Sequence, residues 1–131
     1  RIDLLLLVLW FHKNGAISQQ QVTRAIILAH GYATASSIAN VANRLLKSQL
    51  FESFDMPLDV TPEAIANQVM AYIESHARAS GLIILVDMGS LNAIHRHFNR
   101  RLSTPMVIIN NVSTGMAMYV GERILQGVML E

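Results

Sequence analysis

The sequence predicts an α/β fold in which helices cover both faces of an open parallel sheet of about four strands. Apolar, strand-like segments alternate with segments of helical periodicity four times along the chain. Such alternation is typical of parallel sheets joined by right-handed crossovers. The 131-residue length and the 52% hydrophobic content favour one compact domain with a continuous core.

The N-terminal segment, residues 1–21, is expected to be a connector or N-terminal helical segment, and residues 22–131 the domain itself. Its apolar stretch "IDLLLLVLWF" is about half of the roughly 20 residues that cross a bilayer as a helix. It also lacks the charged region and cleavage site of a signal peptide, so we predict no membrane insertion. Because the chain begins at Arg1, we expect it to come from a longer polypeptide.

The first half of the domain contains two strand and helix pairs. "VTRAIILAH" ends in an unbroken apolar run, as in a strand buried on both faces. "TASSIANVANRLLKSQL" follows as a helix that Thr34 or Ser36 can cap. Its predicted buried residues, at helical spacing, are Ile38, Val41, Ala42, Leu45 and Leu46.

A weaker strand, "FESFDMPL", is ended by Pro57. The helix "VTPEAIANQVMAYIESHARASG" then has Thr61 as N-cap and Pro62 at its first position, and we expect Gly81 to stop it.

The second half repeats this order. "LIILVDMGS" is a strand followed by the helix "LNAIHRHFNRRL", and "PMVIIN" is a strand followed by the helix "GMAMYVGERILQG". The first and third strands share one design: an apolar run, a polar functional group, a glycine and a serine or threonine that can cap a helix. This repetition indicates that the two polar groups, His30 and Asp87, serve one site.

Composition excludes several classes of function. No cysteine is present, so disulfides, thiolate catalysis and cysteine-bound zinc are excluded. Ten basic and nine acidic residues give no electrostatic reason to expect direct contact with nucleic acid. His95 and His97 are two residues apart and do not share a helix face, so we predict no metal site there. No G-x-S-x-G motif supports a serine hydrolase.

Ligands of open parallel sheets bind at the carboxyl ends of the strands, where the strand order reverses. If the strand order is the flavodoxin-like 2-1-3-4, the reversal falls between the first and third strands, which end in His30 and Asp87. A carboxylate that accepts a hydrogen bond from one ring nitrogen leaves the other free as a nucleophile, base or ligand. A phosphoryl-accepting histidine is one coherent interpretation, and a structural histidine at a strand end is the alternative.

The residues after His30 are candidates to hold the phosphate. Gly31 lets a bulky group approach the backbone, and Thr34, Ser36 and Ser37 offer hydroxyls beside the free amides of a helix N-terminus. Each of these hydroxyls could equally be an ordinary helix cap. No metal or organic cofactor is needed for this chemistry.

The segments "LAHGYATASSIANVANRLL", "FDMPLD" and "GLIILVDMGSL" resemble the mannose-family EIIA domains of the bacterial sugar phosphotransferase system. They are most similar to the copies in sigma-54-dependent, levan-operon-type transcriptional activators. The resemblance implies a flavodoxin-like, cytoplasmic domain that tends to dimerise. It also implies that His30 accepts phosphate from the phosphocarrier protein HPr or from an EIIB, with Asp87 in support.

Two departures favour the regulator branch of that family. Transport-type members follow the aspartate with a two-glycine, serine, proline loop, whereas this chain has "DMGSLNAI". They carry an asparagine and proline loop after the fourth strand, where this chain has "NNVSTGMAM". We therefore expect a regulatory domain attached to other regulator domains. A transport subunit relaying phosphate from HPr to EIIB, and a module that binds an anionic ligand without modification, are the alternatives.

Overall fold

The computed structural model describes residues 22–75, 79–87 and 105–127, which form four strands and three helices. The strands are β1 (Val22–His30), β2 (Phe51–Met56), β3 (Ala79–Val86) and β4 (Met106–Ile109); the helices are α1 (Thr34–Leu46), α2 (Pro62–Glu74) and α3 (Thr114–Leu125). The third of the four predicted helices, residues 91–102, lies outside the described residues.

All strand pairs in the sheet are parallel, and the strand order is β2-β1-β3-β4. This order confirms the prediction and puts β1 and β3 side by side at the reversal point. Ala29 pairs with Asp55 and His30 with Met56 across β1 and β2, while Leu28 pairs with Val86 across β1 and β3. The last residues of three neighbouring strands therefore meet at one edge of the sheet.

Both faces of the two central strands are covered, as their continuous apolar sequences predict. Residues 25–29 of β1 have no solvent-accessible surface, and neither have residues 83–86 of β3. Alternate side chains of each strand belong to two separate apolar clusters. One cluster includes residues of α1 and α3, and the other includes residues of α2, so helices lie on both faces of the sheet.

The buried face of α1 agrees with the prediction at Ala42 and differs from it elsewhere. Ala35, Ala39 and Ala42 are its buried apolar residues, while Val41 and Leu45 are 44% and 62% exposed. Small side chains let the helix lie close to the sheet, so the contact follows the alanines and not the larger residues that the periodicity favoured. Ile38 and Leu46, which were also predicted to be buried, pack partly buried against this cluster.

A buried asparagine ties α1 to the edge strand β2. Asn43 Nδ2 donates to the carbonyl oxygen of Phe51 at 3.0 Å, and the Phe51 backbone N–H donates to Asn43 Oδ1 at 2.9 Å. One amide side chain thus satisfies both backbone groups of the first residue of β2. It is the one buried polar residue in the part of the chain that the structure describes.

The beginning of α2 follows the prediction, and its end does not. Thr61 is the N-cap, its hydroxyl accepts a hydrogen bond from the Ala64 N–H at 3.1 Å, and Pro62 begins the helix. The helix ends at Glu74, however, before Gly81, which lies buried within β3. The expectation that Gly81 stops the helix was wrong because β3 begins at Ala79 and takes the glycine as one of its own residues.

Among the described residues, no helix has the length and apolar character needed to span a membrane.

Candidate functional site

The predicted pair meets at the carboxyl edge of the sheet. His30 is the last residue of β1, and Asp87 directly follows β3. The backbone N–H of His30 donates to Asp87 Oδ2 at 3.0 Å, and His30 Nδ1 lies 3.1 Å from Asp87 Oδ1. Both carboxylate oxygens therefore contact the same residue, one through its backbone and one through its ring.

This two-point contact selects one tautomer of the imidazole. An ionised carboxylate only accepts hydrogen bonds, so the Nδ1 atom beside it must carry the proton. Nε2 then keeps its lone pair, and no described residue forms a hydrogen bond with it. The His30 and Asp87 side chains are 20% and 21% exposed, so the pair is partly accessible to solvent. The geometry thus provides an oriented nitrogen nucleophile that needs no separate base.

Gly31 begins the loop that follows His30 and has a backbone conformation that favours glycine. Its φ angle is +103°, and an added Cβ atom would lie 3.0 Å from the Thr34 hydroxyl oxygen. The Gly31 N–H donates to the carbonyl oxygen of Met56 at 2.9 Å, which fixes the loop to the end of β2. Residues 31–34, which we call the histidine loop, connect His30 to the beginning of α1.

An aspartate from the neighbouring strand caps α1. The helix has Ala33 at its N-cap position and no cap from the residues around it. Asp55 of β2 instead accepts the N–H groups of Ala35 and Ser36 through Oδ1, at 2.8 and 3.3 Å. The expectation that Thr34 or Ser36 caps this helix was therefore wrong, because a carboxylate 20 residues along the chain occupies that position.

The predicted phosphate-holding residues differ in what they can donate. Thr34 and Ser37 are exposed, and their hydroxyls form no hydrogen bond with any described residue. The Ser36 hydroxyl donates to the carbonyl oxygen of Ala33 at 3.2 Å. The amides of residues 35 and 36 are used by Asp55, so they are not free for an anion as the sequence suggested.

Three backbone donors near His30 do remain. The N–H groups of Tyr32, Ala33 and Thr34 have no hydrogen-bond partner among the described residues. They belong to the histidine loop and to the first position of α1, where backbone N–H groups favour anions. Together with the Thr34 hydroxyl, they could supply the donors that a phosphate on His30 requires.

Asp55 is the site residue that sequence reasoning missed. It occupies the carboxyl end of β2, the strand beside β1, so the rule that pointed to His30 and Asp87 applied to it as well. The four other histidines, His12, His76, His95 and His97, lie outside the described residues, as does Ser90. Within the described ranges, no three histidine, aspartate or glutamate side chains form a possible metal site.

The parallel sheet and the histidine oriented by a carboxylate at its reversal point define an open α/β domain whose candidate site lies at the carboxyl ends of the central strands. A sequence profile of the EIIA-man family, described as "PTS system fructose IIA component", matches residues 24–120. The match covers more than half of the chain and includes His30, Asp55 and Asp87. The chain belongs to this family.

Two transcriptional regulators are similar to the chain. It is 32% identical over 117 residues to the transcriptional regulatory protein LevR of Bacillus subtilis, a match that covers 89% of the chain and 12% of LevR. It is 29% identical over 96 residues to the transcriptional regulatory protein DagR of Salmonella typhimurium, covering 73% of the chain and 10% of DagR. The chain therefore spans only a small part of each relative.

Solved structures support the fold. A sigma-54 interaction domain protein from Enterococcus faecalis aligns with a TM-score of 0.75 at 24% identity, covering 82% of both chains. A phosphotransferase system component EIIA from Streptococcus agalactiae aligns with a TM-score of 0.61 at 14% identity, covering 82% of this chain and 81% of that one. At these identities the likeness concerns the fold.

Proposed function

We propose that this chain is a regulatory phosphohistidine domain of a bacterial transcriptional regulator, in which His30 accepts a phosphoryl group from phosphotransferase-system proteins. The observation that carries the proposal is the two-point contact of Asp87 with His30, because it leaves Nε2 as an oriented nucleophile. Family membership supports the phosphoryl chemistry, and the similarity to LevR and DagR supports the regulatory role.

The transfer step balances without a base. In the tautomer that Asp87 favours, the Nε2 lone pair attacks the phosphorus of a donor phosphohistidine on HPr or EIIB. A new Nε2–P bond forms as the donor's N–P bond breaks, and the donor imidazole leaves with the electron pair of that bond. The proton on Nδ1 stays hydrogen-bonded to Asp87, which stabilises the positive charge that develops on the ring.

The histidine loop would receive the phosphate. Gly31 has no Cβ that would crowd the Thr34 hydroxyl, while the N–H groups of Tyr32, Ala33 and Thr34, which have no partner among the described residues, supply donors. Of the predicted hydroxyls, those of Thr34 and Ser37 are free to donate. The Ser36 hydroxyl is the weakest candidate because its proton already bonds to Ala33.

A signalling role follows from the charge of the phosphate. Phosphorylation would add roughly two negative charges at neutral pH to a partly exposed edge of the sheet. That change is large enough to alter contacts with an attached domain or a partner. We expect such domains to flank residues 22–131, residues 1–21 to serve as a connector, and the domain to work as a cytoplasmic homodimer.

The proposal is tested by incubating the 131-residue chain with Enzyme I, HPr and phosphoenolpyruvate and measuring intact mass. We expect one added phosphate that is labile in acid and stable in alkali, and its loss in His30→Ala. His76→Ala is the matched control, and it should still take the phosphate. An unmodified native chain, tested with HPr and with EIIB, would contradict the proposal.

The transport alternative is separated by a second measurement. A transport subunit should support sugar phosphorylation at a high rate when mixed with its EIIB and the membrane components. A regulatory domain should hold the phosphate and support little flux. High flux would reassign the chain from the regulator class to the transport class.

A further inference from the structure

Asp55 contacts the site in a way that the phosphoryl chemistry does not explain. The sequence around the start of α1 holds Thr34, Ser36 and Ser37, any of which could cap the helix locally. None of them does. The cap is Asp55 Oδ1, which belongs to β2, whereas the helix follows β1. A carboxylate cap with two N–H donors forms charge-assisted hydrogen bonds, which are stronger than those of a hydroxyl cap.

Both ends of the histidine loop are thereby fixed to consecutive residues of β2. At its first residue, the Gly31 N–H donates to Met56 O at 2.9 Å, and just beyond its last residue the Ala35 N–H donates to Asp55 Oδ1 at 2.8 Å. His30 itself pairs with Met56 in the sheet, and Ala29 pairs with Asp55. Strand β2 therefore orients the loop from one side of His30, while Asp87 orients the ring from the other.

The same contact decides which backbone donors remain for a phosphate. Without Asp55, the amides of Ala35 and Ser36 would be the strongest anion-binding groups at the start of α1. With Asp55 bound to them, the unbonded donors are those of Tyr32, Ala33 and Thr34, which lie closer to His30 along the chain. Asp55 thus directs an incoming phosphate toward the histidine loop.

We propose that Asp55 is a positioning residue for phosphorylation of His30: by capping α1 from β2, it holds the histidine loop in the conformation that receives the phosphate. This inference rests on the proposed function and deepens it. Asp55 forms no hydrogen bond or ion pair with the His30 ring among the described residues, so it acts through the loop. A displacement of about 1 Å in such a loop can slow a reaction by about 100-fold.

The test compares three variants with the native chain. Asp55→Ala removes the cap, and Asp55→Asn keeps an oxygen that can accept both N–H bonds. Thr61→Ala is the matched control because it removes the cap of α2, and Thr61 forms no hydrogen bond with His30 or the histidine loop among the described residues. Phosphoramidate serves as donor: its P–N bond breaks as the Nε2–P bond forms, ammonia leaves, and no docking of a donor protein is involved.

We expect the rate at saturating phosphoramidate to fall about 10-fold to 100-fold in Asp55→Ala, within the range set by loop displacement. In Asp55→Asn it should fall much less, and in Thr61→Ala it should match the native chain. If Asp55→Ala and Thr61→Ala have equal rates, Asp55 is only a structural cap and the inference is overturned.

A second measurement needs no phosphate and distinguishes failure of the inference from failure of the proposed function. Backbone order parameters from NMR report the rigidity of the histidine loop, with about 0.85 for rigid backbone and below about 0.6 for flexible backbone. We expect the loop to become flexible in Asp55→Ala and to stay rigid in Thr61→Ala. If the native chain accepts no phosphate, the proposed function fails; if the loop stays rigid without Asp55, the positioning role fails.

Discussion

Helices α1 and α2 have equal lengths, yet their N-termini are held in opposite ways. Helix α2 is capped within its own sequence, since the Thr61 hydroxyl accepts the Ala64 N–H three residues later. Helix α1 depends on β2 at both of its ends. Asp55 of β2 caps the beginning of the helix, and Phe51 of β2 is hydrogen-bonded to Asn43 near the end of the helix. The comparison teaches that the helix directly after His30 begins through a tertiary contact, whereas the helix after β2 begins through a local one.

The largest effect is expected where α1 meets β2 through Asn43. Asn43→Ala removes two buried hydrogen bonds and leaves both backbone groups of Phe51 without them. The free energy of unfolding should fall by about 2–4 kcal/mol, because the buried N–H and carbonyl groups of Phe51 would lose their partners without regaining contact with water. Urea unfolding measures it, with the exposed Asn40→Ala as control. An equal, small loss in both variants would show that α1 does not depend on this contact.

The second prediction compares the two caps directly. Asp55→Ala should lower the free energy of unfolding by about 1.5–3 kcal/mol, because hydrogen bonds to a charged acceptor are lost. Thr61→Ala should cost about 1 kcal/mol, as is usual for a hydroxyl cap. Thermal and urea unfolding of both variants measure the difference. A larger loss in Thr61→Ala would mean that the local cap is the more important of the two.

This contrast explains how much of the structure the sequence could predict. The buried strands β1 and β3 were predictable because burial on both faces requires an unbroken apolar run. The cap of α2 was predictable because Thr61 and Pro62 adjoin the helix they begin. The cap of α1 was not predictable. Thr34 and Ser36 satisfy the same local preference for a hydroxyl N-cap, and only the pairing of β2 with β1 brings Asp55 into position.

The same reasoning applies to the site and to the face of α1. The meeting of His30 with Asp87 followed from strand order, a rule that requires no atomic detail. Hydropathy predicted the buried face of α1 correctly at Ala42 but not at Val41 and Leu45, which face solvent while alanines pack against the sheet. Periodicity identifies a helix well, but how closely the helix packs on the sheet depends on the size of the side chains at their contact.

The third prediction concerns backbone strain in the histidine loop. Gly31→Ala should lower the free energy of unfolding by about 1–2 kcal/mol, because φ is +103° and the new Cβ would approach the Thr34 hydroxyl. Gly115→Ala is the matched control: it lies in the first turn of α3, has no positive φ, and its nearest contact would be 3.9 Å away. It should leave stability unchanged or raise it slightly. A loss of equal size in both variants would contradict a strained loop.

The smallest effect is expected on the other face of the sheet, at Tyr72 of α2. Burial raises the pKa of Tyr72 above its usual value near 10, although the nearby Arg24 guanidinium partly opposes the shift. Since the folded state holds this proton more tightly, the resulting stability is complete below the unfolded pKa of about 10 and is lost as pH rises through the folded pKa. Urea unfolding from pH 8 to 11 should therefore show a steeper decline in the native chain than in Tyr72→Phe. Because Tyr72 belongs to the helix with a local cap, the rates of His30 phosphorylation in the two chains should stay equal at neutral pH. Slower phosphorylation of Tyr72→Phe would show that α2 is coupled to the site after all and would remove the contrast between the two helices.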